Sequence, residues 1–166
     1  PTMELFIAYG CDGAPRYDAE KRNFRIFENG KEINDVTYWC PDPMARCAAS
    51  LALVMDVSGS MRGRAMAEAK QSAHVLVDVL DGMLDEAVLL QAGTEALVTV
   101  PFTTNKFRLK SSIDSCSPGG ASALYDGIYT ALEEIVASGV NQCRAVIVFT
   151  DGGDNGSTRT PSEVIA

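Results

Sequence analysis

Three short stretches of this chain gather oxygen-bearing side chains at spacings that suit metal chemistry. The first is Asp56-Val57-Ser58-Gly59-Ser60-Met61, the second Gly119-Gly120-Ala121-Ser122-Ala123-Leu124-Tyr125-Asp126, and the third Thr150-Asp151-Gly152-Gly153. Alternation in Asp56-x-Ser58-x-Ser60 lets a tight loop turn three side chains toward one centre, and Gly59 allows the backbone to curl there. Asp56, Ser58, Ser60, Ser122 and Asp151 together offer carboxylates and hydroxyls, with no thiolate and no imidazole. Hard oxygen donors select hard cations, so the expected ion is Mg²⁺ or Mn²⁺, with Ca²⁺ as the further option. Two carboxylates balance a divalent charge, and neutral hydroxyls add ligands without cancelling its electrophilicity. A set of this kind leaves room for one more oxygen from outside the chain.

Each of these residues also has a simpler reading. An aspartate after a strand commonly caps a turn or helix, and Asp151-Gly152 can be a turn alone. Ser58 or Ser60 can cap the helix expected near Gly63, and Ser122 the next one. What favours a shared site is placement. Asp56 and Asp151 each follow an apolar run directly, Ser122 stands at a helix entry, and open parallel sheets bind ligands beyond the carboxyl ends of their strands.

The elements that must hold these loops are legible as alternating patterns. Leu51–Met55 is a continuous apolar run of the central-strand kind. Arg64 to about Leu80 places Met66, Ala69, Ala73, Leu76, Val77 and Leu80 at helical spacing. Glu86–Gln91 and Ala96–Phe102 read as an antiparallel hairpin, Asn105–Asp114 as a short helix, Ala123 to about Ala137 as a longer one, and Arg144–Thr150 as another central strand. This order predicts an α/β, Rossmann-like open and mostly parallel sheet with flanking helices over residues 49–166. Residues 1–48 differ, forming a small N-terminal β segment. Leu5–Tyr9 is a short apolar run, Asn23–Phe27 alternates at period two, and Asn29-Gly30 is a hairpin signal before the return run Glu32–Trp39.

Composition bounds the function classes. The 166 residues carry a net charge of −8, which disfavours a nucleic-acid partner. No apolar run approaches the ~20 residues of a membrane-spanning helix. The chain opens on Pro1, as a mature product or excised fragment does, and stops shortly after a helix start at Thr160-Pro161-Ser162-Glu163. The expectation is that a natural C-terminal segment is missing. Of five cysteines, Cys40 and Cys47 flank a loop stiffened by two prolines. They are either a disulfide, which implies an oxidising compartment, or two unrelated buried thiols. Asp81, Asp85 and Glu86 read as a solvated acidic patch, and Asn155-Gly156-Ser157 is a formal glycosylation sequon of a kind frequent by chance.

Leu51–Met61, with its Asp-x-Ser-x-Ser, resembles the first strand and metal loop of the von Willebrand factor type A domain. Gly119–Asp126 is similar to that family's Gly-Gly-Thr-x-Leu-Tyr-Asp loop, with Ser122 where threonine is commoner and one additional residue before the hydroxyl. Val146–Gly152 resembles its Asp-Gly strand end. The resemblance covers about residues 49–166 and implies a metal-ion-dependent adhesion site. Ser58, Ser60 and Ser122 would be direct ligands. Asp56 and Asp151 would act through water or exchange with direct contact, and a partner's Asp or Glu carboxylate would complete the octahedron. The resemblance implies that the family's last strands and helices lie beyond the residues it covers here. Residues 1–48 resemble β segments that precede such domains in secreted bacterial proteins, implying an extracellular or cell-surface location. The implied function is non-enzymatic: a metal-dependent protein-binding or adhesion module. The alternatives are a phosphoryl-transfer enzyme using Asp56 and a purely structural domain. The former requires Asp-x-Asp where Ser58 stands, and a Ser-His-Asp hydrolase lacks its Gly-x-Ser-x-Gly elbow, His74 falling within an apolar helix.

Overall fold

In a computed structural model of the chain, residues 10–11, 14–15, 24–33 and 47–165 are described. The chain divides into two compact units, residues 1–46 and 47–166. In the first, β1 (Gly10–Cys11) pairs antiparallel with β2 (Ala14–Pro15), and β3 (Ile26–Glu28) with β4 (Lys31–Ile33). The second hairpin is the one signalled by Asn29-Gly30. Glu28 sits opposite Lys31, and the two residues between them take φ of 50° and 80°, the left-handed backbone that a two-residue hairpin turn of this type requires. Leu5–Tyr9, Trp39 and Cys40 lie outside the described residues.

The second unit is an α/β layer structure. Its strands are β5 (Ala49–Asp56), β6 (Glu86–Ala92), β7 (Ala96–Thr103) and β8 (Cys143–Phe149), in the spatial order β7-β6-β5-β8. β5 runs parallel to both β6 and β8, while β7 closes an antiparallel hairpin on β6. The helices are α1 (Arg64–Val79), α2 (Lys106–Ser115), α3 (Leu124–Ser138) and the short α4 (Pro161–Ile165), with a 3-10 turn at Gly59–Met61. The α/β expectation for this unit holds, with boundaries within a residue or two.

Strand alternation explains the layers. On β5, Leu51, Leu53 and Met55 pack with Met66, Ala73 and Val77 of α1 and Leu109 and Ile113 of α2. The intervening Ala52 and Val54 pack on the other face with Leu124, Ala131 and Ile135 of α3. A strand covered on both faces needs an unbroken apolar run, which Leu51–Met55 supplies. Each fully buried Leu, Val, Ile or Met side chain here contributes about 1.5–3 kcal/mol.

Two expectations are corrected at the end of the sheet opposite the loops. Cys47 bonds to Cys143, not to Cys40, with Cα atoms 6.0 Å apart. The reason is strand order: β5 lies beside β8 with Ala49 opposite Cys143, so the start of one strand meets the start of the other. Cys116 is a free, buried thiol, and burial raises its pKa. Nor are Asp85 and Glu86 a solvated patch. Asp85, 3% exposed, accepts from Ala49 N and Asp81 N, and Glu86 accepts from Ser50 Oγ and Val140 N. These carboxylates satisfy backbone groups where strands begin, which sequence alone does not distinguish from surface charge.

Candidate functional site

The loops at the carboxyl ends of β5 and β8 meet because the strands are in register. Met55 faces Phe149, so the next residues, Asp56 and Thr150, arrive side by side, and Thr150 Oγ1 donates to Asp56 Oδ2 at 2.8 Å. Asp56 is wholly buried and turns its other oxygen, Oδ1, to the Ser58 N–H at 2.8 Å. That bond curls the chain back so that Ser58 and Ser60 project together, their hydroxyl oxygens 3.1 Å apart. Ser60 Oγ donates to Asp151 Oδ1 at 3.1 Å. Ser122 Oγ reaches Asp56 Oδ2 at 3.4 Å across 66 residues of sequence.

The second loop is stitched to the first through backbone. Gly119 N donates to Val57 O at 2.7 Å and Gly59 N to Gly120 O at 3.0 Å, while Ala123 N donates to Gly93 O in the β6–β7 turn at 2.7 Å. Gly120 takes φ +79°, a backbone conformation that side chains strain, and a Cβ there would stand 2.6 Å from Thr94 Oγ1, so the Thr94 hydroxyl or the loop would have to shift. Two grooves flank the cluster. One, of about 420 Å³, runs between α1 and β8 and includes Met61, Glu68, Thr150 and Asp151. The other, of about 260 Å³, includes Val57, Thr94 and Gly119.

All of Asp56, Ser58, Ser60, Ser122 and Asp151 are therefore brought into one linked cluster. The simpler readings of the serines do not hold. Gly63 and Ala123 occupy the cap positions of α1 and α3 without a side-chain cap bond, and Ser58 precedes the 3-10 turn without making one. Ser58 and Ser122 are each 3% exposed, while Ser60 and Asp151 are open to solvent. Among the described residues, the groups bonded to Asp56 and Asp151 are backbone N–H and hydroxyls, and no lysine or arginine neutralises either. His74 stands elsewhere, its Nε2 2.9 Å from Asp114 Oδ1. Among the described residues no three His, Cys, Asp or Glu side chains gather in a way that could hold a metal ion; the cluster here pairs two carboxylates with hydroxyls.

Sequence reasoning missed Thr150, although it lies next to Asp151; a hydroxyl at a strand end is too common to stand out. It also missed a second network behind the cluster. Asp126 accepts from Thr158 N at 2.9 Å and Arg159 N at 3.1 Å, and the Arg159 guanidinium lies 3.7 Å over the Tyr129 ring. These bonds, that from Thr158 N foremost, hold the Asp126 carboxyl below its ordinary value. Asp154 is lowered too: burial pushes it up, but bonds from Ser157 Oγ and the Tyr125 N–H outweigh burial.

A family model for the von Willebrand factor type A domain matches residues 51–153. The chain belongs to the von Willebrand factor type A family. Domains of this family commonly take part in protein interaction. The match spans the Asp56-x-Ser58-x-Ser60 loop, the Gly-Gly loop and the Asp-Gly strand end described above. A UPF0353 protein of Mycolicibacterium paratuberculosis is 34% identical over 96 residues, covering 55% of this chain and 28% of that protein. Among solved structures, a von Willebrand factor type A protein from Catenulispora acidiphila aligns with TM-score 0.59 at 20% identity, over 72% of this chain and 29% of that one. The von Willebrand domain of the type V pilus tip protein Mfa5 from Porphyromonas gingivalis aligns with TM-score 0.58 at 19% identity, over 65% and 39%. The chain spans about a third of the length of the curated relatives it matches. Among the described residues, no helix is long and apolar enough to cross a membrane.

Proposed function

We propose that this von Willebrand factor type A domain is a metal-dependent protein-binding module. Asp56, Ser58, Ser60, Ser122 and Asp151 hold one divalent cation, Mg²⁺ or Mn²⁺ before Ca²⁺, and Thr150 orients Asp56. The remaining position takes an Asp or Glu carboxylate from a protein partner. One observation carries this reading: a wholly buried carboxylate linked to a ring of hydroxyls, with no cationic side chain of the described residues to balance it. A buried charge is costly unless paired, and a dication fits that deficit with the donor atoms present.

An enzymatic reading is less favoured, since Ser58 holds the place where phosphoryl transfer through Asp56 needs a second carboxylate. A surface or extracellular location is supported by the Cys47–Cys143 disulfide, because such bonds persist in oxidising compartments. The fold likeness to a pilus tip domain is consistent with that.

Acetate added to the Mn²⁺-loaded chain tests the open position. A carboxylate that displaces metal-bound water lowers the water-proton relaxation enhancement. No change at saturating acetate, with Mn²⁺ bound, contradicts the reading. Turnover of a generic phosphate monoester, lost in Asp56→Asn, would favour the enzyme instead.

A further inference from the structure

Ser122 reaches the cluster from a turn whose direction no helix cap fixes, since Ala123 precedes α3 without a side-chain acceptor. Backbone bonds hold its neighbours Gly119, Gly120 and Ala123, and the partner of Ser122's own backbone lies 33 residues along the chain. The Ser122 N–H donates to Asn155 Oδ1 at 2.9 Å. The Ser122 carbonyl accepts from Asn155 N at 3.1 Å and Gly156 N at 2.8 Å. Both backbone polar groups of Ser122 are thus engaged by one dipeptide. A Cβ on Gly156 would sit 3.2 Å from the Ser122 carbonyl oxygen, so this approach is close.

The dipeptide is itself pinned on both sides. Asp154 Oδ2 accepts from Tyr125 N at 3.1 Å and from Ser157 Oγ at 2.5 Å, and Ser157 Oγ accepts from Asp126 N at 3.1 Å. Thr158 and Arg159 then bond Asp126. Residues 154–159 therefore latch the first turn of α3 to the loop that carries Asp151. Ser157, the hydroxyl of the formal sequon, is committed within this latch.

We propose that Asn155 is the positioning residue for Ser122: it holds the serine backbone so that Oγ points at Asp56 and the cation. This rests on the metal reading above. Partners that orient a metal's direct ligands typically govern its affinity by about 10–100-fold.

Isothermal titration of Mn²⁺ into the wild type, Asn155→Ala, Ser122→Ala and the double variant tests it. Asn155→Ala is expected to weaken binding by about tenfold or more. The double variant is expected to bind no more weakly than Ser122→Ala alone, since Asn155 acts through Ser122. Additive losses, or an Asn155→Ala affinity within about twofold of wild type, would overturn the inference. Amide hydrogen exchange without metal gives a second readout. The Ser122 amide is expected to be protected in the wild type and to exchange at least about tenfold faster in Asn155→Ala. Rapid exchange in the wild type alone would overturn the inference, whether or not the variant folds. Failure of the wild type to bind Mn²⁺ sinks the metal reading and this inference with it. Wild-type binding with an unaltered Asn155→Ala sinks the positioning role only.

Discussion

Replacing Asp56 by asparagine separates the charge of this carboxylate from its shape. Ser58 N and Thr150 Oγ1 each reach it at 2.8 Å, and Ser122 Oγ at 3.4 Å. Asparagine keeps an acceptor for Ser58 N, and its amide can donate to the rotated hydroxyls. Each of the three bonds falls from charge-assisted to neutral, a loss of about 1 kcal/mol apiece and at most about 3 kcal/mol together, the long Ser122 bond being the weakest. Against that stands relief from burying a carboxylate at 0% exposure, an effect of several kcal/mol. Without metal, Asp56→Asn is therefore expected to melt at or above the wild type. With Mn²⁺ at about 100 times its dissociation constant, the wild type gains about 2.7 kcal/mol and the variant essentially none. For a unit of this size that is a rise of roughly 8–13 °C. The order of melting temperatures inverts when metal is added. Scanning calorimetry in chelator and in Mn²⁺ reads both effects. Equal metal-induced shifts in the two proteins would refute the reasoning, as would an asparagine variant several kcal/mol less stable in chelator.

Two other perturbations probe what holds the site. Non-reducing peptide mapping should recover Cys47 linked to Cys143 and Cys116 as a free thiol; a Cys40–Cys47 peptide, or Cys47 alkylated without reductant, contradicts the strand-order argument. Reduction should cost about 2–4 kcal/mol, since the bond closes a loop across 96 residues. Acid should open the latch. Asp126 and Asp154 have folded pKa values below their ordinary 3.8, so their contribution is present above that value and is lost as pH falls through the lower folded values. Thr158 and Arg159 amides should therefore stay protected at about pH 4 and exchange freely only below it; loss of protection already near pH 6 contradicts this.

The legible parts of this protein were local ones. Asp56-x-Ser58-x-Ser60 lies within one loop, and the apolar run before it announces a strand buried on both faces, so strand, loop and site followed together. Asn29-Gly30 gave its hairpin for the same reason. The illegible parts depend on which strands are neighbours. Nothing near Cys47 points to Cys143; only the placement of β5 beside β8 does. Thr150 gains its meaning from the register that sets it against Asp56. Asn155 looked like a chance sequon because its partner, Ser122, is 33 residues away. Asp85 and Glu86 looked solvated because carboxylates usually are, yet here they satisfy strand-end backbone and hydroxyl groups.

Anomalous scattering from crystals of the wild type grown with Mn²⁺ locates the ion itself. The account predicts one peak enclosed by Ser58, Ser60 and Ser122 Oγ at about 2.0–2.6 Å, with Asp56 and Asp151 beside it. A peak elsewhere, or none at millimolar Mn²⁺, would contradict it.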